Sequence, residues 1–351
     1  MKLFSLINWP VTICVILLLS VGILVIYSSS KELAILQAIF AFFGLLIYLF
    51  TSQFDYRSIK NFILPFYISV ILLLLIVLFL GIETRGVLRW IPLGIINIQP
   101  SEFAKPALIL FLAQFWTMNS PNTGNILKSL LWTLPFIFLI FKQPDLGSTL
   151  TIMAIWATML FASGISFKKT LVILLFLIVV TPPGIFSLKD YQKERITGFL
   201  DPQSDPLGRG YNLIQSQIAI GSGQLLGRGL GRGTQSRLQF LPEFRTDFIF
   251  AAIAEELGFL GSTLILSIYL FLLSFCMKIA ASAYDRFGYL IILGVVAMLL
   301  FQTVVNIGMN VGVLPITGIT LPLISYGGSS LIATLLALGF VASVAKYRKK
   351  M

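Results

Sequence analysis

The stretch FILPFYISVILLLLIVLFLGI, which runs from residue 62 to residue 82, decides the fold class of this chain. It contains no charged residue, and its length matches the roughly 20 apolar residues that a helix needs to cross a bilayer. Lipid offers the backbone no hydrogen bonds, so a single stretch of this kind crosses a membrane as a helix. We therefore interpret it as a membrane-spanning helix.

Nine further apolar runs lie elsewhere in the 351 residues, of which 57% are hydrophobic and only 11% charged. Soluble domains carry about 25% charged residues, so this chain has too little polar surface to cover a water-soluble core. The composition predicts an all-α polytopic membrane protein with about ten transmembrane helices. The ten runs are approximately 9–26, 33–50, 62–82, 103–116, 130–141, 148–165, 171–186, 248–279, 289–309 and 321–344.

The basic residues of the short loops indicate the orientation, because cytoplasmic loops carry an excess of lysine and arginine. One set of ends and loops holds twelve such residues and the opposite set holds five. Both termini are therefore predicted to be cytoplasmic. The polar segments 83–102 and 187–247 then lie outside, the second as a large loop between spans seven and eight with a short helix at 211–220. The twelve are Lys2, Arg57, Lys60, Lys128, Lys168, Lys169, Lys278, Arg286, Lys346, Arg348, Lys349 and Lys350.

The residue types that are scarce in this chain narrow its chemistry. It has no histidine, which excludes a Ser-His-Asp triad, His-ligated metals and an imidazole base, so proton transfer falls to a carboxylate, a lysine or a tyrosine. Cys14 and Cys276 lie in apolar runs, so neither a disulfide framework nor a thiolate zinc site is expected. The net charge of +11 is mainly a topology signal, and no nucleic-acid partner is expected.

Asp247 is the strongest candidate for chemistry among the fourteen carboxylates. It stands in LPEFRTDFIF, residues 241–250, where a polar loop enters an apolar helix, and Arg245 precedes it by two residues. The alternative is a helix cap, in which Thr246 or Asp247 satisfies the first free N–H groups of the helix. The spacing alone favours the cap and leaves catalysis open.

A second cluster joins Arg89 and Trp90 to Glu102 and Lys105 at the start of a span. Glu102 and Lys105 are three residues apart and share one face of a helix, so they can pair. A structural ion pair at a span end is the alternative. Trp90 is equally suited to the aromatic belt at the membrane interface.

Three further segments carry polar groups close to the membrane. The sequence KQPDLGST at 142–149 places a cation and Asp145 in a short turn between spans, either as a site or as a helix cap. Three arginines among the glycines of 227–237 suit a phosphate, or form a basic loop on lipid head groups. Late spans carry polar side chains for which helix packing is the alternative, namely Asn306, Asn310 and Ser325.

Several motifs in this order resemble the SEDS family of cell-wall proteins, typified by RodA and FtsW, over nearly the whole chain. The stretches DPQSDPLGRGYN at 201–212 and GTQS at 233–236 resemble the elongation members more than the division members. Residues 1–351 are then a single SEDS-type transmembrane domain. The main motifs are RWIPLG at 89–94, QPSEFAK at 99–105, QPDLGS at 143–148, LPEFRTDFIF at 241–250, AEELG at 254–258 and LPITGITLPLISYGGSS at 314–330.

The resemblance implies a peptidoglycan glycosyltransferase of the bacterial cytoplasmic membrane. Such an enzyme polymerises lipid II, an undecaprenyl-pyrophosphate-linked disaccharide peptide, into β-1,4-linked glycan on the outer face. A class B penicillin-binding protein is implied as the partner for transpeptidation. Asp247 matches the family's essential aspartate. Arg245 stands where the family usually has histidine, which suggests that this histidine is not an obligatory proton carrier.

The predicted site therefore has Asp247 as the general base and a set of residues that bind the substrate. We expect Asp247 and Lys105 to share a large cavity open to the outer leaflet. No metal ligand is assigned, and a divalent cation is left open. The substrate-binding set is Arg89, Trp90, Glu102, Lys105, Asp145, Arg245 and Ser325.

Two other functions stay open at the level of sequence. A flippase would move lipid II across the bilayer along Lys105, Glu102 and Asp145, and a scaffold would organise wall enzymes without catalysis. The polar residues gather on the outer side rather than at mid-span, which favours the enzyme over the flippase. A scaffold leaves the outer carboxylates unexplained.

Overall fold

The computed structural model describes residues 8–348, apart from 81, 85–86, 94–95, 167, 170, 172–189 and 239. Helices α1 to α6 run over Trp9–Ser29, Lys31–Gln53, Lys60–Leu80, Pro100–Met118, Thr123–Lys142 and Leu146–Ala162. Helices α7 to α12 run over Asp190–Leu200, Tyr211–Ser222, Thr234–Arg237, Ile249–Ala281, Arg286–Val311 and Gly328–Tyr347. Strands β1 to β3 cover Ile82–Thr84, Val87–Leu93 and Ile96–Ile98, and a 3₁₀ turn covers Pro202–Ser204.

The described part of the chain has seven helices long and apolar enough to cross a membrane, which are α1, α2, α3, α5, α10, α11 and α12. Helix α4 has 19 residues and α6 has 17, and both coincide with predicted spans. The predicted span at 171–186 lies outside the described residues except for Leu171. The chain is a helical, multi-pass membrane protein, and the count of ten spans stays a prediction.

The junction of α1 and α2 shows how local sequence sets a helix boundary. The Ser30 N–H donates to Ile26 O at 2.8 Å and closes α1. The Ser30 hydroxyl accepts a hydrogen bond from Leu33 N at 3.4 Å and opens α2. A serine suits this position because its side chain satisfies a backbone donor that has no partner within the helix. One residue therefore turns the chain back between two neighbouring helices.

Glycines allow α2 and α12 to pack very closely along their lengths. A Cβ atom at Gly339 would lie 1.7 Å from Thr51 Oγ1, and one at Gly44 would lie 2.4 Å from Leu335 Cδ1. Helices in lipid associate through close van der Waals contact rather than through hydrophobic burial, which explains small residues at this interface.

Helix α10 is sharply kinked at Gly258, whose φ of 68° and ψ of −165° are accessible only to glycine. The kink exposes backbone donors to the extended loop before it. Phe259 N donates to Gln224 O at 2.8 Å, and Leu260 N donates to Leu225 O at 3.1 Å. The long polar loop is therefore fastened to a membrane helix at this kink.

The polar segment before α4 forms a small sheet from strands β1 to β3, which the sequence did not lead us to expect. The strands pair antiparallel in the order β1-β2-β3, with Ile91 opposite Ile98 and Pro92 opposite Asn97. β-branched and aromatic residues in these strands favour extended backbone. The prediction of an all-α class holds for the membrane body, and the sheet leads into the start of α4.

The long loop 187–247 is folded wherever the structure describes it. Helix α8 confirms the helix expected at 211–220, whereas α7 and α9 were not anticipated. Helix α8 packs on α10 and α11, and Ser216 Oγ donates to Asn310 O at 2.8 Å. The loop is therefore built against the helical body.

The basic loops predicted to be cytoplasmic meet at one end of the helical body. Arg57 Nε lies 3.7 Å from Asp285 Oδ2, and Lys346 Nζ donates to Gln53 Oε1 at 2.8 Å. Gln53 is the last residue of α2, and Gln37 lies near its other end. A helix of 23 residues is about 35 Å long, so these two polar groups mark opposite ends of the body. The cavity described next lies at the Gln37 end.

Candidate active site

A cavity of about 820 Å³ opens where helices α4, α6, α10 and α12 begin. Asp247 and Lys105 both line it, as the sequence led us to expect. Further lining comes from β2, from α7 and from the segment 317–320. The predicted site residues in its wall are Arg89, Trp90, Glu102, Lys105, Asp145, Arg245 and Asp247.

Asp247 lies in the turn that precedes α10, and its side chain does not cap that helix. Phe248 occupies the N-cap position and no side-chain cap bond is formed there. Among the described residues, none donates a hydrogen bond to the Asp247 carboxylate. Its Oδ2 atom lies beside Gly318, where a Cβ would be 3.4 Å away. The capping interpretation is therefore wrong for the Asp247 side chain, which faces the cavity instead.

The surroundings of Asp247 disfavour its charged form. Burial raises the pKa of this carboxyl to about 6, and the nearby carboxylate of Glu243 acts in the same direction. The positive charges of Arg195 and Arg89 partly oppose this rise. A carboxyl group with a pKa near neutrality exchanges protons readily at physiological pH.

Glu102 and Lys105 form the ion pair that their spacing predicts. Lys105 Nζ lies 2.6 Å from Glu102 Oε2, and the two side chains are only 3% and 7% exposed. A buried pair of this kind costs more in desolvation than a surface pair, so it is retained at a site more often than for stability alone. The pair lies one to two turns inside the start of α4.

Asp145 connects the starts of α4 and α6. Its Oδ1 accepts a hydrogen bond from Ser148 N at 3.1 Å and so caps α6. Its Oδ2 accepts from Gln99 Nε2 at 3.1 Å and from Ser101 Oγ at 3.3 Å. Asp145 thus fulfils the capping alternative while it also lines the cavity.

Arg89 reaches from β2 to the turn between α5 and α6. Its Nε donates to Gln143 O at 2.9 Å, and its Nη2 donates to Pro144 O. The guanidinium therefore supports the turn that carries Asp145. Trp90, the next residue, also faces the cavity.

Arg245 lines the cavity but its guanidinium is engaged with the end of α1. Nε donates to Ser29 Oγ at 2.9 Å and Nη2 donates to Ser29 O at 3.3 Å. The C-terminal end of a helix is partly negative, which suits a cation. Arg245 therefore anchors the turn that carries Asp247, and substrate contact by this residue stays a prediction.

Ser325 also supports the turn that carries Asp247. Its hydroxyl donates to Thr246 O at 2.6 Å and accepts from Leu321 N at 2.8 Å. It is not among the cavity-lining residues that the structure describes, whereas its neighbour Tyr326 is. The predicted contact of Ser325 with substrate is therefore less direct than the sequence suggested.

The arginine-rich loop at 227–237 packs against α10 and contributes no described residue to the cavity wall. Glu255 accepts hydrogen bonds from Gln235 N at 2.8 Å and from Ser236 N at 3.1 Å, and so caps α9. Arg228 Nη1 donates to Thr234 Oγ1 within the loop. A phosphate-binding role for this loop has no geometric support here.

The part of the chain that the structure describes holds no group of three or more His, Cys, Asp or Glu side chains arranged to bind a metal ion. The two cysteines, Cys14 and Cys276, are free and buried.

A family model described as a cell cycle protein, for FtsW, RodA and SpoVE, matches residues 2–350. The chain belongs to this family. The chain is 41% identical over 311 residues to the peptidoglycan glycosyltransferase MrdB of Escherichia coli, which covers 88% of this chain and 84% of MrdB. It is 36% identical over 357 residues to the stage V sporulation protein E of Bacillus subtilis, which covers 96% of each. Membership of the SEDS family, expected from the motifs, is confirmed.

Two solved structures of similar proteins cover almost the whole chain. One comes from work on the coordination of polymerization and crosslinking by a peptidoglycan synthase complex. It matches with a TM-score of 0.84 and 35% identity over 98% of this chain and 99% of that one. The other is the rod shape determining protein RodA of Thermus thermophilus, with a TM-score of 0.74 and 30% identity over 98% of each.

Three residues of this SEDS cavity were not anticipated from the sequence. Arg195 of α7 lines the wall and its Nη1 donates to Thr317 O at 3.3 Å. Glu243 lies in the turn that carries Asp247. Gln302 of α11 is buried in the wall, and its Oε1 has no hydrogen-bond partner in the described part of the chain. Glu243 lay inside a recognised motif, but no local pattern marked Arg195 or Gln302.

Proposed function

We propose that this SEDS protein is a peptidoglycan glycosyltransferase that polymerises lipid II into β-1,4-linked glycan during cell elongation. The activity named for the MrdB relative and the family motifs support this function. One observation carries it further. The Asp247 carboxylate faces a cavity without a hydrogen-bond donor among the described residues, and basic side chains share that cavity.

Asp247 acts as the general base in this proposal. The 4-hydroxyl of the incoming sugar attacks the anomeric carbon that carries the pyrophosphate. The new O–C bond forms as the bond to the pyrophosphate oxygen breaks, and the hydroxyl proton passes to Asp247. A pKa of about 6 leaves this carboxyl ionised at neutral pH yet basic enough to take the proton.

The leaving pyrophosphate requires positive potential, and the cavity supplies it in two ways. Lys105, Arg89 and Arg195 place cationic side chains in its wall. The N-terminal ends of α4, α6, α10 and α12 also meet there, and helix N-termini favour anions. Developing negative charge is therefore stabilised by groups that are already in place before the reaction.

The cavity opens to the outer face in this proposal, and both termini are cytoplasmic. Loop charge supports this orientation, and the basic loops gather at the end of the body remote from the cavity. A class B penicillin-binding protein is the proposed partner. The similar structure from a peptidoglycan synthase complex is consistent with this pairing.

Purified protein with its partner, incubated with lipid II in detergent, tests the activity. Detergent removes the two compartments that a flippase needs, so glycan strands formed there identify a polymerase. A wild-type protein that folds and binds its partner but forms no glycan would favour the flippase or the scaffold.

The variant Asp247→Asn tests the residue. Asparagine keeps the size of the side chain but cannot accept a proton at neutral pH. We expect turnover to fall by about 10²–10⁴-fold with folding and partner binding intact. The control Asp201→Asn removes an exposed carboxylate of the long loop and should leave turnover unchanged. Normal glycan synthesis by a folded Asp247→Asn protein would rule out the base role.

A further inference from the structure

Two buried asparagines of α11 hold the main chain of Asp247. Asn306 Nδ2 donates to Asp247 O at 2.8 Å, and Asn310 Nδ2 donates to the same oxygen at 3.0 Å. Both asparagines are fully buried. They are four residues apart and therefore lie on one face of α11. A carbonyl has two lone pairs, so these two bonds use its full acceptor capacity.

The side chain of Asn310 also replaces a backbone hydrogen bond at the start of α10. In a regular α-helix Asp247 O would accept from Ala251 N, four residues later. In this structure Ala251 N donates to Asn310 Oδ1 at 3.1 Å and also reaches Phe248 O at 3.1 Å. The carboxamide of Asn310 is thus inserted between two groups that would otherwise pair. The first helical residue of α10 is Ile249 and its N-cap is Phe248, so Asp247 lies one residue before the cap.

Asn306 joins the Asp247 turn to the opposite wall segment of the cavity. Its Nδ2 also donates to Ile319 O at 2.7 Å. Ile319 follows Gly318, beside which the Asp247 carboxylate lies. The Asn306 side chain therefore holds the main chain of Asp247 and also the main chain of Ile319, in the segment that the Asp247 carboxylate faces. Packing between helices does not account for the two bonds of Asn306, because Asp247 O and Ile319 O both lie in loops. Asn310 Nδ2 also donates to Asn306 O within α11 at 2.8 Å.

We propose that Asn306 and Asn310 are positioning residues that hold Asp247 out of α10 so that its carboxylate faces the cavity. This inference rests on the role of Asp247 proposed above. Without the asparagines, Asp247 O and Ala251 N can pair directly and the helix can extend backwards. In that pairing Asp247 becomes the N-cap, where an aspartate side chain turns to accept from the free N–H groups of the first helical turn, so the carboxylate would leave the cavity.

A displacement of the Asp247 carboxylate would change its pKa, which can be measured. The carboxyl is half-buried in the cavity wall, and the charged groups that act on it come from its own turn, from α7, from β2 and from the turn before α6. These groups are Glu243, Arg195, Arg89 and Asp145. A carboxylate that leaves the cavity wall for water regains an ordinary pKa near 4.

The experiment compares Asn310→Leu and Asn306→Leu with wild-type protein and its partner. Leucine has the same number and branching of side-chain heavy atoms as asparagine but offers no hydrogen bond. Thr303→Val is the control, because Thr303 lies buried on the same helix and its hydroxyl has no hydrogen-bond partner among the described residues. Two quantities are measured against pH, namely turnover at saturating lipid II and modification of Asp247 by a carbodiimide, followed by mass spectrometry.

We expect each leucine variant to lose at least about tenfold in turnover with little change in KM, as a misplaced base predicts. The midpoint of Asp247 modification should move from near pH 6 toward pH 4, and Thr303→Val should match the wild type. A folded Asn310→Leu protein with the wild-type midpoint and pH profile would overturn the proposal. An equal change in Thr303→Val would overturn it as well.

A second set of variants and a readout that does not depend on turnover ensure that the experiment supports or contradicts the positioning role. If a leucine variant does not fold, Asn310→Ser and Asn306→Ser remove the same bonds with a small polar side chain and are measured in the same way. If the wild type forms no glycan, the proposed function fails. The modification midpoint still decides the positioning role in that case, because it does not depend on turnover.

Discussion

At the scale of single residues, the Asp247 carboxylate gains basicity from partial burial, and no residue that the structure describes donates a hydrogen bond to stabilise its charge. Capping and pairing lower the pKa of a carboxyl group, and full solvation leaves it at its ordinary value. Burial and Glu243 act in the opposite direction here and raise the pKa of Asp247 to about 6. Such a group is unfavourable for stability and suited to proton transfer.

The rate of glycan synthesis should therefore depend on pH with a midpoint near 6. A general base works only when it is ionised, so turnover should be level above pH 7 and fall about tenfold per unit below pH 6. Initial rates with lipid II between pH 4.5 and 8 measure this dependence. A profile that stays level down to pH 4.5 in folded protein would assign the proton to another group.

The Glu102–Lys105 pair permits a test that separates stability from function. Lys105→Met or Glu102→Gln alone leaves a buried charge without its partner and should cost about 3–5 kcal/mol of stability. The double variant removes both charges, so its melting temperature should recover most of this loss. Its turnover should stay low, because the cavity then lacks the Lys105 charge for the pyrophosphate. Recovery of turnover in the double variant would limit the pair to a structural role.

At the scale of elements, the kink of α10 organises the long loop. Glu255 caps α9 on the loop side, and Glu256 Oε1 accepts a hydrogen bond from Ser28 Oγ at 2.7 Å on the α1 side. Both carboxylates come from the AEELG motif, whose glycine is the kink itself. The motif thus joins a loop, a kinked helix and the end of α1 at one level of the molecule.

Substitution of the kink glycine should release the loop. A Cβ at Gly258 would lie 2.2 Å from Gly227 N, and the backbone there has a positive φ that alanine adopts poorly. We expect Gly258→Ala to lower the melting temperature and to speed protease cleavage within 224–237. The control Gly221→Ala lies in α8 with nothing within 4 Å of its Cβ, so it should be neutral or stabilise by up to about 1 kcal/mol. Equal cleavage rates in Gly258→Ala and wild type would refute the fastening role.

At the scale of the whole molecule, the cavity and its ionisable wall residues lie at one end of the described helical body, and the basic loops around Arg57 and Lys346 lie at the other. The deepest residues of the cavity wall lie one or two helical turns below the helix starts. This one-sided arrangement suits an enzyme that takes substrate from one leaflet. A transport path would need polar groups through the full thickness of the body.

Cysteine labelling in intact cells tests the orientation. With Cys14 and Cys276 replaced by alanine, a cysteine at Ser204 should react with a membrane-impermeant maleimide, whereas one at Lys278 should react only after lysis. Both positions are exposed, so access depends on the side of the membrane. Ser236 is unsuitable for this test because it is buried beside Glu255. Labelling of Lys278→Cys alone in intact cells would reverse the topology.

The sequence by itself determined the properties that depend on composition and local order. Apolar runs near 20 residues identify membrane helices because lipid supplies no hydrogen bonds to the backbone. The i, i+3 spacing of Glu102 and Lys105 predicted a pair, and the order of the motifs led to the family. Asp247 stood out because it lies where a polar loop meets an apolar helix.

Tertiary structure decided what depends on residues distant in sequence. The sequence favoured a cap at Asp247, since local pattern alone could not show that Asn310, 63 residues later, occupies the hydrogen bonds of that helix start. Arg195 joined the cavity because α7 folds over Thr317, a contact across 122 residues. Ser325 and Arg245 serve partly as supports because each bonds to a segment distant in sequence, Ser325 to Thr246 O and Arg245 to Ser29. Hydrogen-bond partners are set by three-dimensional packing, and neither local periodicity nor composition carries that information.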